Sequence, residues 1–153
     1  MTAERRKRAP GGLVEEALTR SVIGSFYDVY NELGFGYREL IYGLAMERDL
    51  IAKGHRVARE VAVMVHFRGE PLARQTLDML VDDRLIVELK STERLHPDAT
   101  RQLFSYLCAT TLELGLLLHF GHEPKFHRVI YMNRFKHQVK PHPSAPGAQS
   151  RHS

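Results

Sequence analysis

From Leu13, apolar residues recur in steps of three and four at Val14, Leu18, Val22, Phe26, Val29, Tyr30 and Leu33, the spacing of one helical face. Gly34 supplies a natural left-handed stop. A second helix is predicted from about Tyr37 to Lys53, with Leu40, Ile41, Leu44, Ala45, Leu50 and Ile51 among its apolar positions and Gly54 closing it. The period then changes to two. Residues 57–67, VAREVAVMVHF, alternate and are rich in β-branched side chains, so they read as a strand with Val61, Val63 and Val65 on one side. Glu60, Ala62, Met64 and His66 fall on the other side, where His66 reads as a solvent-facing residue. Arg68-Gly69-Glu70 predicts a hairpin turn, 72–81 the next strand, Asp82-Asp83-Arg84 a tight turn, and 84–91 a third strand. His96-Pro97-Asp98 marks the entry to a third helix that should run to about Leu114 and end at Gly115. Leu116–Phe120 is a continuous apolar run, the pattern of a strand buried on both faces. A loop, Gly121–Phe126, leads to a last strand, His127–Met132.

The resulting order, α-α-β-β-β-α-β-β, makes the hairpin strands antiparallel and lets the third helix act as a crossover to a parallel neighbour. The expected fold is α/β, a mixed sheet flanked by helices, formed by residues 13–133 of the 153. Residues 1–12 and 134–153 read as disordered basic tails of net charge +3 and +4, which leaves the domain acidic within a chain of +4. Such tails can hold phosphates loosely or simply keep the protein dispersed, so the charge alone is weak evidence for a nucleic-acid partner. No run approaches the length needed to span a bilayer, and Cys108 is the only cysteine, which fits a reducing, cytoplasmic setting. The histidines of the C-terminal tail are too irregular for a metal site.

The awkward stretch is Gln75–Ser91, where two apolar runs carry Asp78, Glu88 and Lys90 inside them. A buried carboxylate is costly unless it is paired or holds a cation. With a three-residue turn, Val81 lies opposite Leu85, which places Asp78 opposite Glu88 and Thr76 opposite Lys90; a two-residue turn would lose that pairing. Two close carboxylates disfavour each other's ionisation, and a hard divalent cation, Mg²⁺ or Mn²⁺, removes that penalty. Lys90 beside such an ion could hold a scissile phosphate or orient an attacking water. An Asp–Lys–Glu salt-bridge cluster explains the same residues equally well. Glu39, in the first turn of the second helix, favours the dipole and on spacing reads as a solvated acid; it shares a face with Tyr42. Gln102 and Tyr106 share a face of the third helix, beside an apolar stripe of Leu103, Leu107 and Thr111.

Asp78 followed by Glu88-Leu89-Lys90 resembles the D…(D/E)xK core of the PD-(D/E)XK nuclease superfamily. Gly36-Tyr37-Arg38-Glu39-Leu40-Ile41-Tyr42 resembles the G-x-x-E-x-x-Y signature of the small bacterial GxxExxY proteins, and the blocks Gln102–Leu107 and Leu114–Phe120 are similar to the same family. The likeness covers roughly Val22 to Met132. It implies a restriction-endonuclease-like mixed sheet and a Mg²⁺- or Mn²⁺-dependent nuclease acting on DNA or RNA. It further implies that Asp78, Glu88 and the Leu89 carbonyl hold the metal and that Lys90 is the catalytic lysine. Glu39 would reach the site from one helix and Gln102 from another, while Gly36, Tyr42 and Tyr106 are further motif positions. Leu77 stands where the superfamily has proline. The fold also serves non-catalytic roles, so an accessory nucleic-acid-binding module and a purely structural or protein-interaction role are the competing expectations. A homodimer is expected if both strands of a duplex are cut.

Overall fold

A computed structural model describes residues 15–136. The tail predicted at 1–12, and most of the one predicted at 134–153, lie outside these residues. Residues 134–136 do not: a 3₁₀ turn spans Asn133–Phe135, and Lys136 Nζ donates to the carbonyls of Thr110 and Leu112 at 2.8 and 2.7 Å.

Helix α1 (Glu16–Leu33) buries Leu18, Val22, Phe26 and Val29, the stripe predicted from spacing. It ends at Gly34, whose positive φ of 69° suits glycine and whose N–H bonds Tyr30 O at 2.7 Å. Helix α2 (Glu39–Ala52) starts two residues later than predicted, because Arg38 is extended and the Tyr37 N–H is taken by the Tyr42 hydroxyl at 3.3 Å. Its core face is Tyr42, Gly43, Met46 and Leu50; Leu40, Ile41, Leu44 and Ile51, read as apolar helix positions, are exposed.

Strands β1 (Val57–Phe67) and β2 (Glu70–Val81) form a long antiparallel hairpin. A turn at Asp82, Asp83 and Arg84 leads into β3 (Leu85–Lys90). Helix α3 (Ala99–Cys108) crosses over to β4 (Leu114–Phe120), which runs parallel to β3, and β5 (Pro124–Ile130) closes the edge antiparallel to β4. The single sheet has the order β1-β2-β3-β4-β5. It is the expected mixed sheet, with α1 and α2 on one face and α3 on the other.

Two boundaries differ from expectation for identifiable reasons. Helix α3 stops at Cys108, well before Leu114, because Thr110 Oγ1 bonds back to Tyr106 O at 2.9 Å and accepts from Leu112 N–H at 3.3 Å, which turns the chain out of the helix. Gly115 is therefore no helix stop. It lies in β4 directly beneath Leu103, where a Cβ would sit 2.6 Å from Leu103 Cδ1, so glycine lets α3 approach the sheet. The second half of the predicted loop Gly121–Phe126 is strand: β5 begins at Pro124, a residue tolerated at the start of an edge strand, and ends at Ile130.

Both faces of the sheet are apolar, and β4 is buried at every position. Val87 and Leu89 of β3 pack into the α1/α2 core, whereas Ile86 packs toward α3. By alternation Glu88 and Lys90 belong to the α3 face. A carboxylate and an ammonium are thus placed between the sheet and α3, where each buried leucine-sized neighbour contributes about 1.5–3 kcal/mol of burial that holds the walls in place.

Candidate active site

The β2–β3 ladder is short. Its pairs are Val81↔Leu85, Leu80↔Ile86 and Met79↔Val87, which confirms the three-residue turn, and there the regular pairing ends. At the next position each strand turns its backbone donor to the other's carboxylate. The Asp78 N–H donates to Glu88 Oε1 at 2.9 Å, and the Leu89 N–H donates to Asp78 Oδ2 at 2.8 Å. The two side chains predicted to oppose each other do meet, but as substitutes for ladder bonds. The expected opposition of Thr76 and Lys90 is absent from the ladder for the same reason. On the other flank, β1 pairs with β2 at Arg59↔Met79 and Val61↔Leu77 but skips Glu60, which adopts a left-handed φ of 53°. Strand β2 therefore loses regular pairing on both sides at Asp78, and the sheet opens there.

Glu88 is 3% exposed, and its carboxyl is pushed from the ordinary 4.5 up to about 8. Burial is the largest cause, followed by the negative charge of Asp78; the Asp78 N–H and the Lys90 charge act in the opposite direction without offsetting it. The phenol of Tyr106 is raised to about 12 by burial and by the charges of Glu88 and Asp78. Both shifts report excess negative charge in a poorly solvated place.

One cation and one amide face this charge. Lys90 Nζ donates to Gln102 Oε1 at 3.3 Å, Gln102 Nε2 donates to the Tyr106 hydroxyl at 3.3 Å, and Tyr106 donates to the Thr76 carbonyl at 3.1 Å. The chain of donors fixes the amide's orientation, since only its oxygen can accept from an ammonium. Of the residues predicted for the site, the structure thus joins Asp78, Glu88, Leu89, Lys90, Gln102 and Tyr106.

Glu39 is not joined to them. It is exposed in the first turn of α2, and no hydrogen bond or ion pair links it to Asp78, Glu88 or Lys90. Gly36 and Tyr42 serve the entry to that helix. Gly36 takes a φ of 118°, which other residues rarely adopt, and the buried Tyr42 donates to Gly34 O while its ring stacks on Phe120 at 4.0 Å. These two residues fix where α2 begins and hence where Glu39 sits.

His119 is a neighbour that spacing did not single out. It pairs with Lys90 in the β3–β4 ladder, is 5% exposed, and its Nε2 donates to the Thr92 carbonyl at 2.7 Å, pinning the segment that leaves β3. A lone polar residue in the run Leu114–Phe120 was the available signal.

Among the described residues no group of three or more His, Cys, Asp and Glu side chains gathers as a metal cluster. The donor set nevertheless suits a hard divalent ion. Two carboxylates converge, one buried Glu carries a charge penalty that a cation would remove, and oxygen is the only ligand atom they offer.

Residues 16–130 match the family model of the PD-(D/E)XK nuclease superfamily. The chain belongs to that superfamily. No curated protein matches it, and no solved structure does. A PD-(D/E)XK domain implies a nuclease and a nucleic-acid substrate, and its members generally use divalent metals.

This PD-(D/E)XK domain holds a second polar cluster at the opposite end of the β2–β3 pair. Ser21 Oγ lies 2.6 Å from His55 Nε2, and His55 Nδ1 lies 2.7 Å from Asp82 Oδ2. The arrangement has the order of a nucleophile, base and orienting acid. Ser21, however, lies inside α1, where the neighbouring N–H groups are committed to helix bonds and none is left to stabilise an oxyanion. Asp82 also accepts the Arg56 N–H at 2.8 Å, so the cluster ties α1, the start of β1 and the β2–β3 turn together.

Proposed function

We propose that the chain is a divalent-metal-dependent phosphodiesterase of the GxxExxY type that hydrolyses DNA or RNA. The observation that carries this reading is the reciprocal capture of Asp78 and Glu88 across the opened ladder, with Lys90 beside them. In it, Asp78, Glu88 and the Leu89 carbonyl hold Mg²⁺ or Mn²⁺. When bound, such an ion lowers the pKa of a water and offsets charge developing on the phosphate. Lys90 holds a phosphate oxygen and favours the transition state through its fixed charge. Gln102 keeps the Lys90 ammonium on the site side of α3. Glu39, carried by the first turn of α2, completes the site when nucleic acid and metal are present. Cutting both strands of a duplex calls for two such sites and so for a homodimer, and a cytoplasmic location fits the single cysteine.

The test is cleavage of mixed single- and double-stranded DNA and RNA with Mg²⁺ or Mn²⁺ by wild type and Lys90→Ala, together with calorimetric titration of Mn²⁺ into wild type and Glu88→Ala. Metal-dependent cleavage lost in Lys90→Ala, with Mn²⁺ binding lost in Glu88→Ala, supports the reading. Nucleic-acid binding that needs no metal and survives Lys90→Ala, with no cleavage of any substrate, supports an accessory module instead.

A further inference from the structure

Three loops meet at the edge of the sheet where β3 and β4 end: residues 34–38 between α1 and α2, residues 91–94 after Lys90, and residues 121–123 between β4 and β5. They are tied to one another. Glu93 Oε1 lies 3.5 Å from His122 Nε2, and His119, the ladder neighbour of Lys90, holds the Thr92 carbonyl. The Tyr30 hydroxyl reaches the carbonyls of Gly121 and His122 at 2.8 and 2.7 Å. Tyr42 donates to the Gly34 carbonyl and accepts from the Tyr37 N–H. On this frame two rings face solvent, Phe35 at 39% and Tyr37 at 48% exposure. The Phe35 ring lies against the His122 imidazole with centroids 4.2 Å apart, and Tyr37 stands edge-on to the buried Tyr42, which stacks on Phe120. Exposed rings backed in this way keep their direction, so laying a further ring on them costs little ordering.

Position and charge select the occupant. Glu93, which ties the rings' loops to the chain after β3, is three residues from Lys90, a span of at most about 11 Å. A strand whose phosphate sits at Lys90 therefore brings its neighbouring bases to these rings. Arg38 and Arg94 are exposed beside them, and neither guanidinium has a hydrogen bond or ion pair among the described residues. A free guanidinium plane stacks on a base or holds a phosphate. Yet the edge as a whole is not basic. Arg38, Arg94 and Lys125 are balanced by Glu39, Glu93 and Glu123, with His122 neutral. A duplex hides its base faces and is held through its phosphates, so it needs a basic footprint, which is missing here. An unpaired strand offers ring faces, and these stack on aromatic side chains without requiring net charge.

We infer that Phe35 and Tyr37, backed by His122 and Tyr42, form a stacking platform for unpaired bases next to the scissile phosphate, and that the substrate is single-stranded or locally unpaired nucleic acid. The inference rests on the nuclease reading above and narrows its substrate. A single strand is cut at one site, so such a substrate makes no use of a second copy.

The experiment measures binding apart from cleavage. Fluorescence anisotropy in EDTA compares a labelled single strand of DNA, the same sequence as RNA, the DNA duplex, and the DNA strand carrying abasic sites. The proteins are the full-chain wild type, Phe35→Ala, Phe35→Leu and Phe35→Tyr, each checked for native circular dichroism. The wild type is expected to bind either intact single strand about 10-fold or more tightly than the duplex or the abasic strand. Phe35→Ala and Phe35→Leu should each lose about 10-fold on the intact single strands and little on the duplex, whereas Phe35→Tyr, which keeps the ring, should stay within about twofold. The dependence of affinity on salt should be the same in all four proteins, since no phosphate contact is removed. A duplex bound as tightly as the single strands overturns the inference, as does Phe35→Leu binding like wild type, an equal loss on strand and duplex, or a wild type that binds none of the probes. Cleavage of the same strands with Mg²⁺ or Mn²⁺ separates the two readings. A wild type that prefers single strands but cuts nothing keeps the platform and removes the nuclease, and one that cuts only the duplex does the reverse.

Discussion

The two ends of the β2–β3 pair carry polar clusters built from similar residues, and they differ in how their charges are satisfied. At the turn end, Asp82 has His55, the Arg56 N–H and the nearby Arg84, and Arg84 in turn holds Glu15 at 3.0 Å. Burial alone would push the Asp82 carboxyl up, but the His55 and Arg56 hydrogen bonds and the charges of His55 and Arg84 outweigh it, and the net shift is downward. At the open end, burial and Asp78 push Glu88 up to about 8, and Lys90 does not compensate. The turn end holds charges that are neutralised where they stand, which is what a structural tie needs. At the open end Lys90 only partly offsets burial and Asp78, so Glu88 keeps its proton up to about pH 8, which leaves capacity for a further cation. Triad geometry at the turn end is thus less informative about function than charge imbalance at the open end.

The largest effect should separate the two clusters in activity. Asp78→Ala and Glu88→Ala are expected to reduce metal-dependent cleavage by about 10³-fold or more, and Lys90→Ala by about 10²–10³-fold. Ser21→Ala should leave the rate per folded molecule within about twofold of wild type. Initial rates on one nucleic-acid substrate at saturating Mg²⁺ or Mn²⁺ measure all four. A Ser21 variant as damaged as the Asp78 variant would reverse the assignment of the two ends.

The pKa shifts predict opposite pH dependences. The folded chain keeps a proton on Glu88 between its ordinary 4.5 and about 8, whereas the unfolded chain releases it. Stability of the metal-free protein should therefore fall as pH rises through that window, by up to about 5 kcal/mol in all. Glu88→Gln should flatten this decline. Asp82 behaves in reverse: its folded pKa is below 3.8, so its contribution is present above that pH and is lost as pH falls through the folded value. Urea unfolding in EDTA at pH 5, 6.5 and 8.5 measures the Glu88 effect. An unchanged slope in Glu88→Gln would show that some other group carries the decline.

Most of the scaffold was legible because the sheet and α1 bury one pattern each. The α1 stripe, the Val61/Val63/Val65 face and the register of the Asp82–Arg84 turn follow from period and turn length. The ends of α3 and β5 were not, since Gly115 and Pro124 are commonly breakers and their roles here, close packing under Leu103 and the start of an edge strand, depend on tertiary neighbours. The Asp78/Glu88 meeting was legible as a register, but its form was not. A one-dimensional pattern does not tell that β1 skips Glu60 and that carboxylates replace the ladder bonds. The Ser21–His55–Asp82 tie was hidden because its members are far apart in sequence and ordinary in type.

At the turn end, His55→Ala removes the ring between Ser21 and Asp82 and leaves two partly buried polar groups without their partner. A loss of about 1–3 kcal/mol is expected, with catalysis per folded molecule retained. Thermal and urea unfolding at pH 7 check the first half, and rates normalised to folded protein check the second.

The smallest effect tests whether the open end depends on neutral hydrogen bonds as well as charge. Tyr106→Phe deletes the hydroxyl that accepts from Gln102 and donates to Thr76 O, and leaves the ring packed. Gln102 is exposed, so its amide then turns freely and presents oxygen to Lys90 only part of the time. The expected cost is about 1 kcal/mol, a roughly fivefold fall in kcat with KM nearly unchanged, because the Lys90 charge remains while its direction is relaxed. Gln102→Leu should produce a loss at least as large, and combining it with Tyr106→Phe should add little, since both changes remove the same constraint. Additive losses would mean that Tyr106 acts through its own contact with the site and not through Gln102.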